Sequence, residues 1–394
     1  MNLERFQKSP SGRLVRTGSG KESYWAFAPN PLPPELRFTN ELIRTLSEAD
    51  RALGELAGLG RAAPNPHLLI GPFIRREAVL SSRIEGTQAD IADLYAYEAG
   101  QLHFPGLKPP PPESDLREVL NYVRALEYGL ERLKTLPVSL RLIRELHQRL
   151  MEGVRGGKTT PGHFRQSQNW LGPPGCTLKE STFVPPPVPE MNAALSTLEK
   201  YLHADNSYPP LIRLALIHYQ FEAIHPFLDG NGRIGRLLIS LLLVHWNLLP
   251  LPMLYLSAFF ERSRQDYYDT LLAVSKRGAW TDWLLFFLRA VTTQSGEAIK
   301  SSRLLQDLQL KWRKRLQSKP RTSAKSLQLA DYLFQTPAIT MPAVQKILGV
   351  THRWASRVVS RLVEEEILKP VPGRLRNRQF VAQEIIDILS EKQE

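Results

Sequence analysis

The sequence predicts a mainly α-helical protein: a helical core interrupted by one small β-hairpin, followed by a basic helix-turn-helix module. Three observations carry that prediction. Apolar residues recur at steps of three and four along most of the 394 residues, the spacing of a buried helix face. Gly and Pro crowd into 106–114 and 153–190, where they break the helical pattern. Between the breakers of the second stretch only CTLKESTFV has the makings of a short hairpin.

Composition narrows the class. Charged residues are 23% and hydrophobic residues 42%, which fits ordinary globular packing and not disorder. The length suggests two or three domains. The lone Cys176 excludes an intramolecular disulfide framework and a cysteine-rich zinc site. The opening MNLERFQKSPSGRLVR has no apolar h-region, and the apolar run Leu237 to Leu256 is interrupted by Ser240, His245, Asn247, Pro250 and Pro252. A cytoplasmic protein with no membrane partner is therefore expected. Net charge is +12, and it is uneven. From Lys300 onward there are 18 Lys and Arg against 9 Asp and Glu. That basic end is compatible with nucleic acid and equally with solubility.

Taken in order, residues 1–40 read as irregular, with prolines at 29, 31, 33 and 34. Leu42, Leu46, Ala49, Leu53 and Leu56 mark a first helix, and a second is expected from Pro72 to Glu85. GLKPPPPES, Gly106 to Ser114, reads as a semi-rigid linker. Helices resume in LREVLNYVRALEYGLERL and SLRLIRELHQRLM, and again from Glu190 to Ala298. Residues 299–326 read as a basic helical connection. Three segments follow: 1–113, 114–298 and 299–394.

The richest chemistry lies between His225 and Arg236. Leu211, Leu214, His218, Phe221 and His225 share one helix face. Pro226 disfavours helical geometry at His225 and should end the helix there. Phe227-Leu228-Asp229-Gly230-Asn231-Gly232 follows, and then Ile234, Leu237, Leu238, Leu241 and Leu242 begin a new apolar helix. Such a helix N-terminus offers unpartnered N–H groups and a positive dipole end to an anion. Gly230 and Gly232 let backbone approach a phosphate. Arg233 and Arg236 add two guanidinium forks one turn apart. Asp229 is a hard oxygen ligand suited to Mg²⁺ shared with phosphates. His225 is a natural general base near neutral pH. His218, by contrast, reads as a satisfied core histidine. Separately, each feature is commonplace; together they describe phosphoryl or nucleotidyl transfer.

The string HPFLDGNGRIGR resembles the signature of the Fic family, His-x-Phe-x-Asp/Glu-Gly-Asn-Gly-Arg-x-x-Arg, at every fixed position. The resemblance implies a helical core transferring AMP from ATP to a Ser, Thr or Tyr hydroxyl of a target protein. His225 would deprotonate the hydroxyl, Asp229 would hold Mg²⁺, and Gly230, Asn231 and Gly232 would cradle phosphate, with Asn231 orienting the α-phosphate. Arg233 would meet the β-phosphate and Arg236 the γ-phosphate. Relatives resembling the Doc toxins, which act as kinases, carry lysine where this chain has Gly232. The glycine favours AMP transfer; phosphocholine transfer stays open.

Three further segments resemble parts of the same family. Ser81-x-x-x-Glu85-Gly86 is similar to its inhibitory motif, which implies a brake in which Glu85 pairs with Arg236 and Ser81 bonds nearby. Because it lies upstream, the chain resembles the class with an N-terminal inhibitory helix. The stretch from Asn169-Trp170 to FVPPP resembles the family's flap, where a target segment would dock by strand addition. Tyr267 and Tyr268 sit where relatives have nucleotide-side tyrosines, and adjacent positions on a helix face different ways, so one of them would touch adenine.

At the end, SLQLADYLFQT precedes ITMPAVQKILGVTHRWASRVVSRLVEEEIL, a helix, a turn at Gly349 and a second helix that Thr351 can cap. Arg353, Arg357 and Arg361 recur every four residues, and ILKPVPGRLRNRQFV has the form of a wing. The module resembles a winged helix-turn-helix, which implies DNA or protein as partner. The expected function is an autoinhibited, Mg²⁺- and ATP-dependent protein adenylyltransferase, with self-modification and a homodimer left open. The alternatives are a nucleotide-sensing DNA-binding regulator and an enzyme in which AMP removal dominates.

Overall fold

The structure, a computed structural model, describes residues 2–20, 23–62, 67–100, 110–154, 160–205, 207–319, 323–371 and 378–390. In chain order its elements are β1 (Gly12–Thr17), β2 (Tyr24–Pro29), α1 (Asn40–Ala62), α2 (His67–Ile84), α3 (Ile91–Glu98), α4 (Glu113–Arg132), α5 (Leu140–Leu150) and α6 (Val188–His203). Then come α7 (Pro210–Ile224), α8 (Asn231–His245), α9 (Ser257–Arg262), α10 (Arg264–Arg277), α11 (Trp280–Gln317) and α12 (Ala324–Tyr332). The chain ends with β3 (Ala338–Thr340), α13 (Met341–Leu348), α14 (His352–Glu364), β4 (Lys369–Pro370), β5 (Gln379–Val381) and α15 (Gln383–Ser390). The protein is mainly helical, as its sequence predicts.

Two compact units divide the chain: Met1–Gly54, Arg124–Leu248 and Leu256–Thr293 form one, and Glu55–Val123, Leu249–Tyr255 and Gln294–Glu394 the other. Residues 1–113 contribute to both, and 299–394 lie in the second. α11 runs unbroken through residue 298, where the sequence suggested the start of a separate connection.

The first unit is organised around α7 and α8. Leu211, Leu214, Ile217 and Phe221 of α7 and Ile234, Leu237 and Leu241 of α8 are all buried, and α7 packs on both α6 and α8. Helices buried on nearly all sides belong at the centre of a core. α4 also approaches closely, because a Cβ on Gly129 would lie 2.9 Å from Leu241 Cδ1 and 3.0 Å from Leu146 Cδ2. Ser139 caps α5 by accepting from the Leu142 N–H.

The N-terminal region is a correction to the sequence reading. Residues 12–29 are not irregular: β1 and β2 form an antiparallel hairpin, with Leu14 opposite Phe27 and Thr17 opposite Tyr24. Phe27 packs with Phe6 and Phe183 at ring separations of 5.6 and 5.9 Å, and its N–H donates to Val184 O. The strands are short and gain their burial from this distant aromatic cluster, so no local run of alternation announced them.

In the second unit, α2 begins five residues before Pro72 and ends at Ile84. Gly86, at φ +107°, turns the chain, and the Thr87 N–H closes onto Ser82 O. α3, unforeseen in the sequence, starts from a reciprocal capping box between Asp90 and Asp93. An Arg75–Glu98 fork, 2.8 Å at both contacts, holds α3 to α2. β3, β5 and β4 form an antiparallel sheet in the order β3-β5-β4. Gly349, at φ +62°, ends α13. Thr351 takes the N-cap position of α14, but its side chain makes no capping bond. Residues 101–109, which take in the first part of the proline linker, and the middle of the wing (372–377, with Arg374 and Arg376) lie outside the described residues.

Candidate active site

The loop between α7 and α8 is held almost atom by atom. His225 ends α7 in the left-handed conformation, φ 49°, with its N–H on Phe221 O. A residue with a Cβ pays for that conformation, and such strain persists only where surroundings enforce it. Pro226 removes the helical alternative. The His225 ring is half-buried, and its Nδ1 lies 3.2 Å from Glu222 O. A carbonyl can only accept, so Nδ1 carries the proton and Nε2 carries the lone pair of the neutral ring.

The three carbonyls that follow α7 are engaged. His225 O accepts from Arg165 Nε at 3.0 Å and from Asn169 Nδ2 at 3.3 Å. Pro226 O accepts the Arg165 N–H at 2.9 Å. Phe227 O accepts from Asn169 Nδ2 and Asn231 Nδ2. The Asn231 amide returns on the same residue, its Oδ1 accepting the Phe227 N–H at 2.8 Å. The Asn231 side chain is therefore a staple across the loop, 2% exposed.

Gly230, at φ 78°, is the N-cap of α8. A Cβ there would lie 2.9 Å from Met151 Sδ, so the glycine answers both a backbone and a packing requirement. His147 fastens the same turn. Gly162 N–H donates to its Nδ1 at 3.0 Å, so Nε2 carries the proton and donates to Asp229 O at 3.1 Å. The ring stacks on Phe227 with centroids 3.7 Å apart. Burial lowers the His147 pKa to about 4, which keeps the ring neutral. Sequence reasoning missed His147; its one signal was a histidine on the buried stripe of Leu146 and Leu150.

The Asp229 carboxylate is half exposed. Its Oδ1 accepts the Gly230 N–H and lies 3.7 Å from Arg233 Nη2. Arg233 and Arg236 are 3% and 2% exposed. Glu222 presses on α8, because a Cβ on Gly235 would come 2.2 Å from Glu222 Oε1. His218 is buried as expected, and its Nε2 lies 2.7 Å from Tyr267 Oη. Burial, and next the Arg236 charge, lower the His218 pKa to about 3.

The adjacent tyrosines do face different ways. Tyr267 is 1% exposed and belongs to the aromatic core with Phe260 and Trp283. Its ring is enclosed, with its hydroxyl against His218. Tyr268 is 39% exposed and has Arg264 above its ring. The flap is slighter than a hairpin within CTLKESTFV: turns occupy residues 174–175 and 178–180, and pairing is a single antiparallel bridge from Leu171 to Phe183. Trp170 at its foot is 41% exposed. In the second unit, Ser81 is fully buried on α2, and Glu85 is exposed one residue beyond the helix. Arg353 and Arg357 are exposed on α14, whereas Arg361 is ion-paired with Glu364 and Glu365.

Residues 43–131 match the family model described as Fic/DOC family N-terminal, and residues 137–243 match Fic/DOC family. The chain is 32% identical over 157 residues to Protein adenylyltransferase Fic of Drosophila grimshawi, covering 39% of this chain and 29% of that protein. It is 30% identical over 136 residues to Protein adenylyltransferase Fic of Culex quinquefasciatus, covering 34% and 24%. The chain thus spans less than a third of the length of these curated relatives. A solved Fic family protein from Desulfovibrio desulfuricans shares its fold, with a TM-score of 0.57 at 20% identity over 89% of this chain and 98% of the other. Among the described residues no helix is long and apolar enough to cross a membrane.

Proposed function

We propose, from the matches of residues 43–131 and 137–243 to the Fic/DOC family, that the chain is a protein adenylyltransferase, moving AMP from ATP to a hydroxyl of a target protein. The observation that carries this reading is the His225 ring, its Nδ1 anchored on Glu222 O, beside the N-terminus of α8. Nε2 takes the hydroxyl proton as the hydroxyl oxygen attacks the α-phosphorus, and pyrophosphate leaves. The first N–H groups of α8, with Gly232 free of a side chain, receive phosphate oxygens. Arg233 and Arg236 balance the charge of the β- and γ-phosphates. Positioning and fixed charge supply most of the rate.

Asp229 fits a Mg²⁺ ion: a half-exposed carboxylate at the mouth of an anion cradle suits a metal that takes one or two carboxylates and completes its shell with phosphate oxygens and water. Mg²⁺ bound there would neutralise phosphate charge. Tyr268 is the tyrosine offered to the nucleotide side, and the Leu171–Phe183 flap is offered to the target.

Glu85 is the brake in this reading, on the strength of the motif Ser81-x-x-x-Glu85-Gly86. The enclosure of Arg236, 2% exposed, supports a resting state closed to the γ-phosphate. Incubation with Mg²⁺ and ATP labelled at the α-phosphorus tests the whole. Glu85→Gly is expected to raise incorporation into protein, and His225→Ala in the same background to abolish it; unchanged labelling in the histidine variant sinks the reading.

A second reading rests on α14, where Arg353, Trp354 and Arg357 are exposed together and Arg357 lies over the Trp354 ring. As the recognition helix of a winged helix-turn-helix, this face would meet duplex DNA. Salt-dependent duplex binding lost in Arg353→Ala tests it.

A further inference from the structure

Arg165 is 1% exposed, and its side chain meets no carboxylate among the described residues. Its guanidinium donates only to backbone carbonyls: Nε to His225 O at 3.0 Å, Nη1 to Ser167 O at 3.2 Å and Nη2 to Pro186 O. Its own N–H adds Pro226 O. Burial lowers its pKa to about 10, which leaves it charged at neutral pH. Three carbonyls in three directions suit a planar fork and no other side chain. Ser167 stands where the chain enters the flap and Pro186 where it leaves. A single guanidinium therefore grips both feet of the flap and the backbone of His225.

Asn169 repeats the arrangement one step closer to the flap. Its Nδ2 bridges His225 O and Phe227 O, while its Oδ1 is buried and meets no donor among the described residues. The amide orientation is thus dictated by the two carbonyls. Gln168, between them, donates to Pro185 O on the far foot. Every carbonyl from His225 to Phe227 is tied to residues 165–169, and those residues lead directly into the Leu171–Phe183 bridge.

We propose that Arg165 and Asn169 are positioning residues for transfer: they hold His225 in its left-handed backbone conformation and link the flap, where the acceptor is received, to the base that deprotonates it. The proposal rests on the reading of His225 as that base. Neither residue touches the α8 N-terminus, so they serve turnover and not nucleotide affinity. A displacement of the base by about 1 Å costs on the order of 100-fold in rate.

The test uses the full chain carrying Glu85→Gly and compares it with the same chain bearing Asn169→Ala, Arg165→Lys or His225→Ala. Asn169→Ala and Arg165→Lys are expected to slow labelling from α-labelled ATP by about 10- to 100-fold. In the same preparations ATP affinity by calorimetry should stay within about twofold, the pattern of an interaction that acts in the transition state. A second readout needs no turnover: in an NMR titration of the ring protons, Asn169→Ala should shift His225 and leave His147 and His218 in place. If Arg165→Lys does not fold, Asn169→Ala decides. An unmoved His225 titration overturns the proposal; so does an unchanged rate, or an affinity that falls in step with the rate. The underlying reading fails differently, when His225→Ala labels as well as its parent or when the parent does not label at all.

Discussion

Two helix–turn–helix joints in this chain solve one geometric problem in opposite ways. Between α13 and α14 the left-handed residue is Gly349, and a Cβ placed there would meet nothing within 4 Å. Glycine takes that conformation without strain, and the joint needs little support; even Thr351 leaves its side chain out of the cap. Between α7 and α8 a left-handed Gly230 opens α8, but the left-handed residue that ends α7 is His225, and four side chains brace the turn: Arg165, Asn169, Asn231 and His147. A conformation that glycine takes freely has here been given to an imidazole and enforced from outside. The difference teaches where bracing is needed: buried hydrogen bonds hold a conformation that a residue with a Cβ resists, and glycine turns the chain without them.

The contrast can be broken most forcefully at Asn231. Asn231→Ala removes two buried bonds, orphans the Phe227 N–H and leaves Phe227 O with Asn169 Nδ2 alone. The expected loss is about 3 kcal/mol, read by denaturant unfolding, together with loss of labelling. A loss under about 1 kcal/mol would mean that the loop keeps its shape unaided.

Acid should loosen the α7–α8 joint selectively. The folded His147 pKa of about 4 lies below the ordinary value near 6.5. Between those values the unfolded chain binds a proton that the folded chain refuses. The contribution of His147 is therefore complete above about pH 6.5 and is lost as pH falls toward 4. His218, at about 3, extends the same loss to lower pH. Hydrogen exchange from pH 7 to 4 should show the amides of residues 227–231 losing protection, with those of 349–351 steady by comparison. His147→Gln should flatten that dependence.

The smallest effect is expected at Gly349. Gly349→Ala forces a Cβ into φ +62° with nothing to clash against, so it should cost about 1 kcal/mol by thermal melting and leave labelling unchanged.

Much of this was legible in the sequence for physical reasons. Pro226 announces the end of α7, Gly86 and Gly349 announce turns, and periodic leucines announce α7 and α8, because each is a local constraint. What braces the site was not legible. Arg165 meets a carbonyl 60 residues away and His147 one 82 residues away. Carbonyl partners have no residue type, so no motif records them. Asn231 stood inside the motif, yet its amide closes the loop and does not reach outward. The adjacent tyrosines were separable in principle by helix geometry, but which one faced the core depended on His218 and Trp283. β1, β2 and α3 were missed because short elements gain their burial from distant partners.

The central claim is that the braced imidazole deprotonates an alcohol that attacks the α-phosphorus. The most direct measurement supplies the Glu85→Gly chain with ATP labelled at either the α- or the γ-phosphorus and asks which label stays on protein. The account predicts that the α-label is retained and the γ-label departs with pyrophosphate. Retention of the γ-label with loss of the α-label, the outcome of phosphoryl transfer, would contradict it.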